Sequence, residues 1–203
     1  MRKVKILLSL VICSFLLLPL SIQAKGEREI RKKDEIVINQ QNDSFTELTR
    51  EEFIEHIARN NGISYEQAEI EVTQKDFNCF KERSLNGEIQ PRSMILHYGY
   101  FESYFYTPTD EYNDPRRSTC AKFGVYASYY YPDADTSWAS RRFNAVHDTY
   151  LYAANDFTSV ILRSKYAYVS GSYSINFDAR FEMKRDAPFM YYVEYTMSHK
   201  FYI

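Results

Sequence analysis

The chain has 203 residues, of which 45% are hydrophobic and 26% are charged, and its formal net charge is −2 at pH 7. These values are typical of one globular domain with a small appendage, and they exclude collagen-like, low-complexity and fully disordered chains. A nucleic-acid-binding protein would need a strongly basic surface, which this charge balance does not indicate.

Residues 1–24 have the pattern of a secretory signal peptide. Three basic residues precede the apolar run Ile6–Leu20, and Ala24 provides a small residue at the expected cleavage point. This run is short for a transmembrane helix, and no later apolar run is long enough to span a bilayer. We therefore predict a secreted, extracellular protein without a transmembrane span once the signal peptide is removed.

Two cysteines, Cys79 and Cys120, remain after the predicted signal peptide. Secretion places them in an oxidising environment, which favours a disulfide between them. The alternative is a pair of free, buried thiols. Neither cysteine has a neighbouring histidine, so the spacing does not indicate a zinc site.

Residues 25–48 are polar and densely charged, and they are predicted to form a flexible linker in which Ile36–Ile38 could make a short strand. Residues 49–80 then predict a hairpin of two helices. Thr49 and Glu52 form a capping box, and Gly62 is suited to the left-handed residue that ends the first helix. A second capping box begins at Ser64.

The apolar residues of this hairpin recur at helical spacing, so each helix has one face that can be buried. These residues are Phe53, Ile54, Ile57 and Ala58 in the first helix, and Tyr65, Ala68, Val72 and Cys79 in the second. The acidic second helix argues against the DNA-binding form of a helix-turn-helix, because phosphates would repel it.

Residues 81–92 are predicted to be a linker, and residues 93–203 an antiparallel β domain. From residue 93 onward apolar and polar residues alternate with a period of two. The pattern predicts six strands, within 95–107, 120–131, 143–153, 157–169, 172–183 and 189–203. The expected fold is mainly β: an antiparallel β-sandwich or open barrel preceded by the helical hairpin.

This layout resembles that of small uncharacterised secreted proteins of Gram-positive bacteria. The similarity is carried by Leu48–Ile54, by Gly62–Ala68 and by Glu88–Arg92, which opens the tyrosine-rich β domain. The resemblance implies the order signal peptide, helix pair and β domain, and it implies no activity.

The sequence contains no recognisable catalytic or metal-binding pattern. Its four histidines are far apart along the chain, and no nucleophile-elbow motif is present. His147 and Asp148 are neighbours in a predicted strand, so they are expected to point to opposite faces. Asp133 and Asp135, with a second acidic loop at 110–114, could bind calcium, although solvated turns are the simpler interpretation. We therefore predict a non-enzymatic protein with no cofactor and no metal.

Tyrosine is the most unusual feature of the composition. Only one of the 19 tyrosines, Tyr65, precedes residue 91. The predicted ligand-binding residues are four tyrosines that share one face of the first strand of the β domain, interrupted by Glu102. They are Tyr98, Tyr100, Tyr104 and Tyr106. An exposed row of aromatic rings can bind sugars, peptides or proteins, although tyrosine is also simply a good strand residue.

Two functional hypotheses follow. The first is a secreted binding or interaction module that acts at the cell surface or in the medium, with cell-wall glycan or a surface protein as its partner. The second is a secreted precursor whose residues 25–90 are a pro-region, removed near Pro91 to release a β-rich toxin or bacteriocin-like effector.

Overall fold

The structure is a computed structural model that describes residues 34–37, 43–85, 95–107, 119–131, 141–156, 158–186 and 190–203. These residues form two helices and eight strands. In chain order the elements are β1 (Asp34–Val37), β2 (Ser44–Leu48), α1 (Arg50–Asn61), α2 (Tyr65–Leu85), β3 (Leu96–Tyr106), β4 (Cys120–Tyr130), β5 (Arg142–Ala153), β6 (Val160–Ser170), β7 (Ser174–Asp186) and β8 (Met190–Tyr202).

The strands form two four-stranded sheets. One has the order β2-β3-β4-β5 and is antiparallel throughout; the other has the order β1-β8-β7-β6, in which only the short β1 runs parallel to its neighbour. Rings from the two inner faces meet between the sheets, with centroids 5.2 Å apart for Phe105 and Phe181 and for Phe123 and Phe177. The prediction of a mainly β fold, a sandwich preceded by a two-helix hairpin, is confirmed.

The sandwich is joined along one side, where β5 of one sheet meets β6 of the other. At one end of this seam, the backbone N–H of Phe143 donates to the carbonyl of Ser172 at 2.8 Å. Further along, the Lys165 ammonium donates to the carbonyl of Thr149. The outer surfaces of the two sheets are therefore neighbours at the seam.

The helical hairpin forms as its caps predict. The Thr49 hydroxyl accepts from the Glu52 N–H at 3.2 Å, the Glu52 carboxylate accepts from the Thr49 N–H at 2.9 Å, and Gly62 is left-handed with φ 65°. The predicted stripe of α1 is fully buried. α2 continues to Leu85, five residues beyond the predicted end at 80.

The hairpin packs on the outer face of the β2-β3-β4-β5 sheet. Phe53 lies against the ring of Tyr98 at 4.8 Å and against that of Tyr126 at 6.0 Å. These residues belong to a second core, separate from the one between the sheets, which also contains Ala68 and Val72.

The segment predicted to be a linker, 25–48, contributes two strands. β2 pairs with β3, and its Phe45 ring lies 4.6 Å from that of Phe101. Just before β2, the Asp43 carboxylate lies 3.0 Å from Nε2 of the buried His199. Long-range pairing with β3 and β8 orders these residues, whose polar composition alone indicated a linker.

The predicted disulfide between Cys79 and Cys120 is not present in the structure. Cys120 opens β4, whereas Cys79 lies one helical turn beyond Asp76, which contacts Ser128 near the other end of β4. The eight steps along the strand from Cys120 to Ser128 span about 26 Å at ~3.3 Å per residue. A disulfide needs Cα atoms within about 7 Å of each other.

Several predictions fall outside the described residues: the signal peptide at 1–24, most of the linker at 81–92, and the acidic loops at 110–114 and 133–135. Within the part of the chain that the structure describes, neither helix combines the length and the hydropathy required for a membrane span.

Candidate functional site

The structure separates the four predicted ligand-binding tyrosines. Tyr98 is buried beneath the helical hairpin and is therefore not part of an exposed aromatic face. Tyr104 and Tyr106 are half-buried and stack on each other with centroids 6.2 Å apart. Tyr100 is also half-buried, and it lines a cavity of about 590 Å³ between the end of α1 and the sheet.

The floor of this cavity is a row of tyrosines that crosses three adjacent strands. Tyr100 of β3 lies 5.7 Å from Tyr126 of β4, and Tyr126 lies 5.8 Å from Tyr150 of β5. Tyr150 in turn stacks on Tyr152 at 5.5 Å with an interplanar angle of 25°. We call this cavity the tyrosine cleft, defined by Tyr100, Tyr126, Tyr150 and Tyr152.

A charged pair lies within the cleft. The Glu102 carboxylate accepts from the Lys122 ammonium at 2.8 Å and from the Tyr150 hydroxyl at 3.0 Å. Burial, together with the negative charge of Glu102, raises the pKa of Tyr150 well above its ordinary value. Burial alone would lower the pKa of Lys122, but its bond to Glu102 raises it. The negative charge of Glu102 therefore favours the charged form of the Lys122 ammonium.

Gly124 makes room for this arrangement. In β4 it pairs with Glu102 on one side and with Tyr150 on the other. A Cβ at this position would lie 2.2 Å from the carbonyl oxygen of Phe101 and 2.5 Å from the Tyr150 hydroxyl oxygen. The absence of a side chain lets the Tyr150 ring cross β4 and reach Glu102.

The end of α1 supplies one wall of the cleft. The Asn60 amide donates to the Asp148 carboxylate at 3.1 Å, and the Tyr126 hydroxyl lies 3.4 Å from Nδ1 of His56. The cleft therefore combines flat aromatic surface with amide, carboxylate and ammonium groups on its rim. This composition suits an uncharged, hydroxyl-rich ligand, since the two carboxylates and the two lysines that line the cleft balance each other.

A second cluster of polar side chains lies beneath the hairpin. Asp76 of α2 accepts from the Tyr98 hydroxyl at 3.0 Å, from the Asn144 amide at 3.0 Å and from the Ser128 hydroxyl. Nε2 of His147 lies 2.9 Å from the same carboxylate. We call these five residues the Asp76 cluster. The His147 side chain is 2% exposed, and each of the other four residues is at most 7% exposed.

Two irregularities in the pairing of β5 with β4 aim side chains at Asp76. The register shifts between Ser128 and Tyr129 and again between Tyr126 and Ala127, which leaves Asn144 and His147 as the extra residues of β5. A bulge redirects the side chain at which it occurs. The expectation that His147 and Asp148 point to opposite faces is therefore wrong.

These neighbours instead both bond to the helical hairpin. His147 contacts Asp76 of α2, and Asp148 contacts Asn60 of α1. Strict alternation along β5 fails here because the extra residue at the bulge resets it.

The hydrogen bonds of the Asp76 cluster attach α2 to the sheet. Burial alone would raise the pKa of Asp76, but the bonds and charge of His147, with the hydroxyls of Ser128 and Tyr98, hold it below its ordinary value of 3.8. Ser128 is 0% exposed, and its hydroxyl donates to the carboxylate. A substrate cannot reach it, so Ser128, His147 and Asp76 do not make a nucleophile–base relay despite their residue types.

The sequence did not predict most residues of the tyrosine cleft or of the Asp76 cluster. Asp76 had a visible signal, because it occupies the apolar stripe of α2 between Val72 and Cys79, where a carboxylate must find partners. Glu102 was visible as the one charge that interrupts the tyrosine face. Among the described residues, no group of three or more histidine, cysteine or acidic side chains could hold a metal ion.

Comparison with known proteins adds no further constraint. No protein-family model matches the chain, and no curated protein or solved structure is significantly similar to it.

Proposed function

We propose that this protein is a secreted, non-enzymatic binding module whose ligand site is the tyrosine cleft, and that its ligand is a saccharide such as cell-wall glycan. The observation that carries the proposal is the row of four tyrosines, whose rings are 5.5–5.8 Å apart along the floor of one cavity. Such rings cover the flat faces of sugars with little loss of conformational entropy.

The polar groups of the cleft complement this aromatic floor. Glu102 and Asp148 offer acceptors for sugar hydroxyls, and Lys122 and Asn60 offer donors. Glu102 is already held by Lys122 and Tyr150, so the acceptor is oriented before a ligand arrives. Such preorganisation reduces the entropic cost of binding.

Binding of purified cell-wall glycan by the secreted protein tests this proposal. Tyr152 is 48% exposed in the cleft, whereas Tyr202 is 56% exposed on the opposite sheet. We expect Tyr152→Ala to weaken binding about tenfold or more, as for a central aromatic contact, and Tyr202→Ala to leave it unchanged. Equal binding by both variants, or a wild-type protein that stays in solution, would contradict the proposal.

The packing of the hairpin supports a module that keeps its helices rather than a precursor that loses residues 25–90. Removal of the hairpin would uncover Tyr98 and Tyr126 and would take one wall from the cleft. The intact mass of the protein recovered from the culture medium separates the two hypotheses. A chain that begins at Lys25 supports the module, and one that begins near Pro91 supports the precursor.

A further inference from the structure

A second cavity, of about 510 Å³, lies beside the tyrosine cleft where β5 meets β6. We call it the seam cavity. α2 forms one of its walls, and its lining includes Asn144, Val146, Tyr166 and Tyr168. The two cavities adjoin along both strands. Thr149 and Lys165 line the cleft, whereas Val146, three residues away on β5, and Tyr166, the next residue on β6, line the seam cavity.

The aromatic surface of the seam cavity matches that of the cleft. Tyr166 and Tyr168 lie on one face of β6 with ring centroids 5.4 Å apart and an interplanar angle of 31°. The corresponding values for Tyr150 and Tyr152 are 5.5 Å and 25°. Tyr166 is 64% exposed and Tyr168 is 41% exposed, so both rings are open to a ligand.

The seam cavity also contains an unused hydrogen-bond acceptor. Asn144 is 1% exposed, and its amide nitrogen donates to Asp76, but its Oδ1 has no partner among the described residues. A buried acceptor without a donor is costly. Asn144 therefore places an unsatisfied acceptor at the wall of the seam cavity.

We propose that the seam cavity is a second subsite of the tyrosine cleft, so that the ligand is a glycan polymer that runs from the cleft across Thr149 and Lys165 onto Tyr166 and Tyr168. This inference rests on the proposed function and adds to it the class of ligand: a chain of several sugars rather than a mono- or disaccharide. Each added sugar contacts a new ring, so affinity rises with chain length.

The test is a titration with two defined neutral probes, the dimer and the hexamer of β-1,4-linked N-acetylglucosamine. For the wild-type protein we expect the hexamer to bind about tenfold more tightly than the dimer, as one further aromatic contact predicts. Tyr166→Ala should bring the hexamer to within about twofold of the dimer and leave the dimer unchanged. Tyr166→Trp, which keeps a ring, should preserve the difference.

The variants also separate failure of this inference from failure of the proposed function. Tyr152→Ala should weaken both probes, and Tyr202→Ala neither. Suppose that the dimer binds and that Tyr152→Ala weakens its binding. If the hexamer then binds no more tightly than the dimer, or still binds more tightly in Tyr166→Ala, the cleft is supported and the second subsite is wrong. If the wild-type protein binds neither probe, both proposals are overturned.

Discussion

Asp76 attaches the helical hairpin to three strands of the sheet. It is 3% exposed and accepts from Tyr98, Ser128 and Asn144. We expect Asp76→Ala to lower the free energy of unfolding by about 3–5 kcal/mol, because it leaves several buried polar groups unpaired. Tyr98→Phe, which removes a single hydroxyl, should cost about 1 kcal/mol. Urea denaturation measures both, and equal losses would contradict this ranking.

The same carboxylate predicts how stability depends on pH. The pKa of Asp76 lies below its ordinary value of 3.8, chiefly because bonding to His147 outweighs the effect of burial. Its contribution is therefore complete above the unfolded-state pKa and is lost as the pH falls through the lower, folded-state pKa. The Asp76→Asn side chain cannot titrate. Its urea midpoint should therefore fall less steeply than that of the wild-type protein between pH 5 and 3, the range on either side of the ordinary pKa. Parallel pH profiles would exclude this role.

Gly124 links the stability of the sheet to the shape of the tyrosine cleft. A methyl group there would meet the carbonyl oxygen of Phe101, which belongs to the backbone and cannot move away, and the ring of Tyr150. We expect Gly124→Ala to cost about 1–3 kcal/mol and to weaken glycan binding by displacing Tyr150. Tyr202→Ala, on the opposite sheet, should leave binding unchanged. Calorimetric titration of both variants tests this difference.

Among the elements, α1 begins at a complete capping box and carries the wall of the cleft at its other end. We expect Thr49→Ala to lower the free energy of unfolding by about 1 kcal/mol, because the Glu52 N–H loses its acceptor. Thr49→Ser keeps the hydroxyl and should match the wild-type protein. Thermal unfolding followed by circular dichroism measures both, and an equally destabilised serine variant would contradict the cap.

β5 is the strand in which the direction of the side chains departs from simple alternation. Its two bulges turn Asn144 and His147 toward Asp76, and its outer edge is covered where Arg83 and Lys165 donate to the carbonyls of Phe143 and Thr149. Covering an edge strand in this way limits pairing with other chains. Neither the bulges nor the two covering contacts follow from alternation, because both depend on residues far away in the chain.

At the scale of the whole molecule, the hairpin and the sandwich should unfold as one unit. The hairpin buries Phe53 against two rings of the sheet and joins β4 and β5 through Asp76. We therefore expect the helical signal in far-ultraviolet circular dichroism and the tyrosine signal in the near ultraviolet to be lost at one urea concentration. Earlier loss of the helical signal would show that the hairpin is a separable domain.

The local elements of this protein follow from its amino-acid sequence. The capping box at Thr49, the left-handed Gly62 and the strict alternation near Phe177 depend on residues close together in the chain, so helices and strands could be predicted near their observed positions. Long-range packing, by contrast, places β2 in a sheet, buries Tyr98 and separates Cys79 from Cys120. Those outcomes depend on strand order, register and the docking of the hairpin. The tyrosine cleft and the Asp76 cluster have the same origin, because each joins side chains from several elements that only long-range packing brings together.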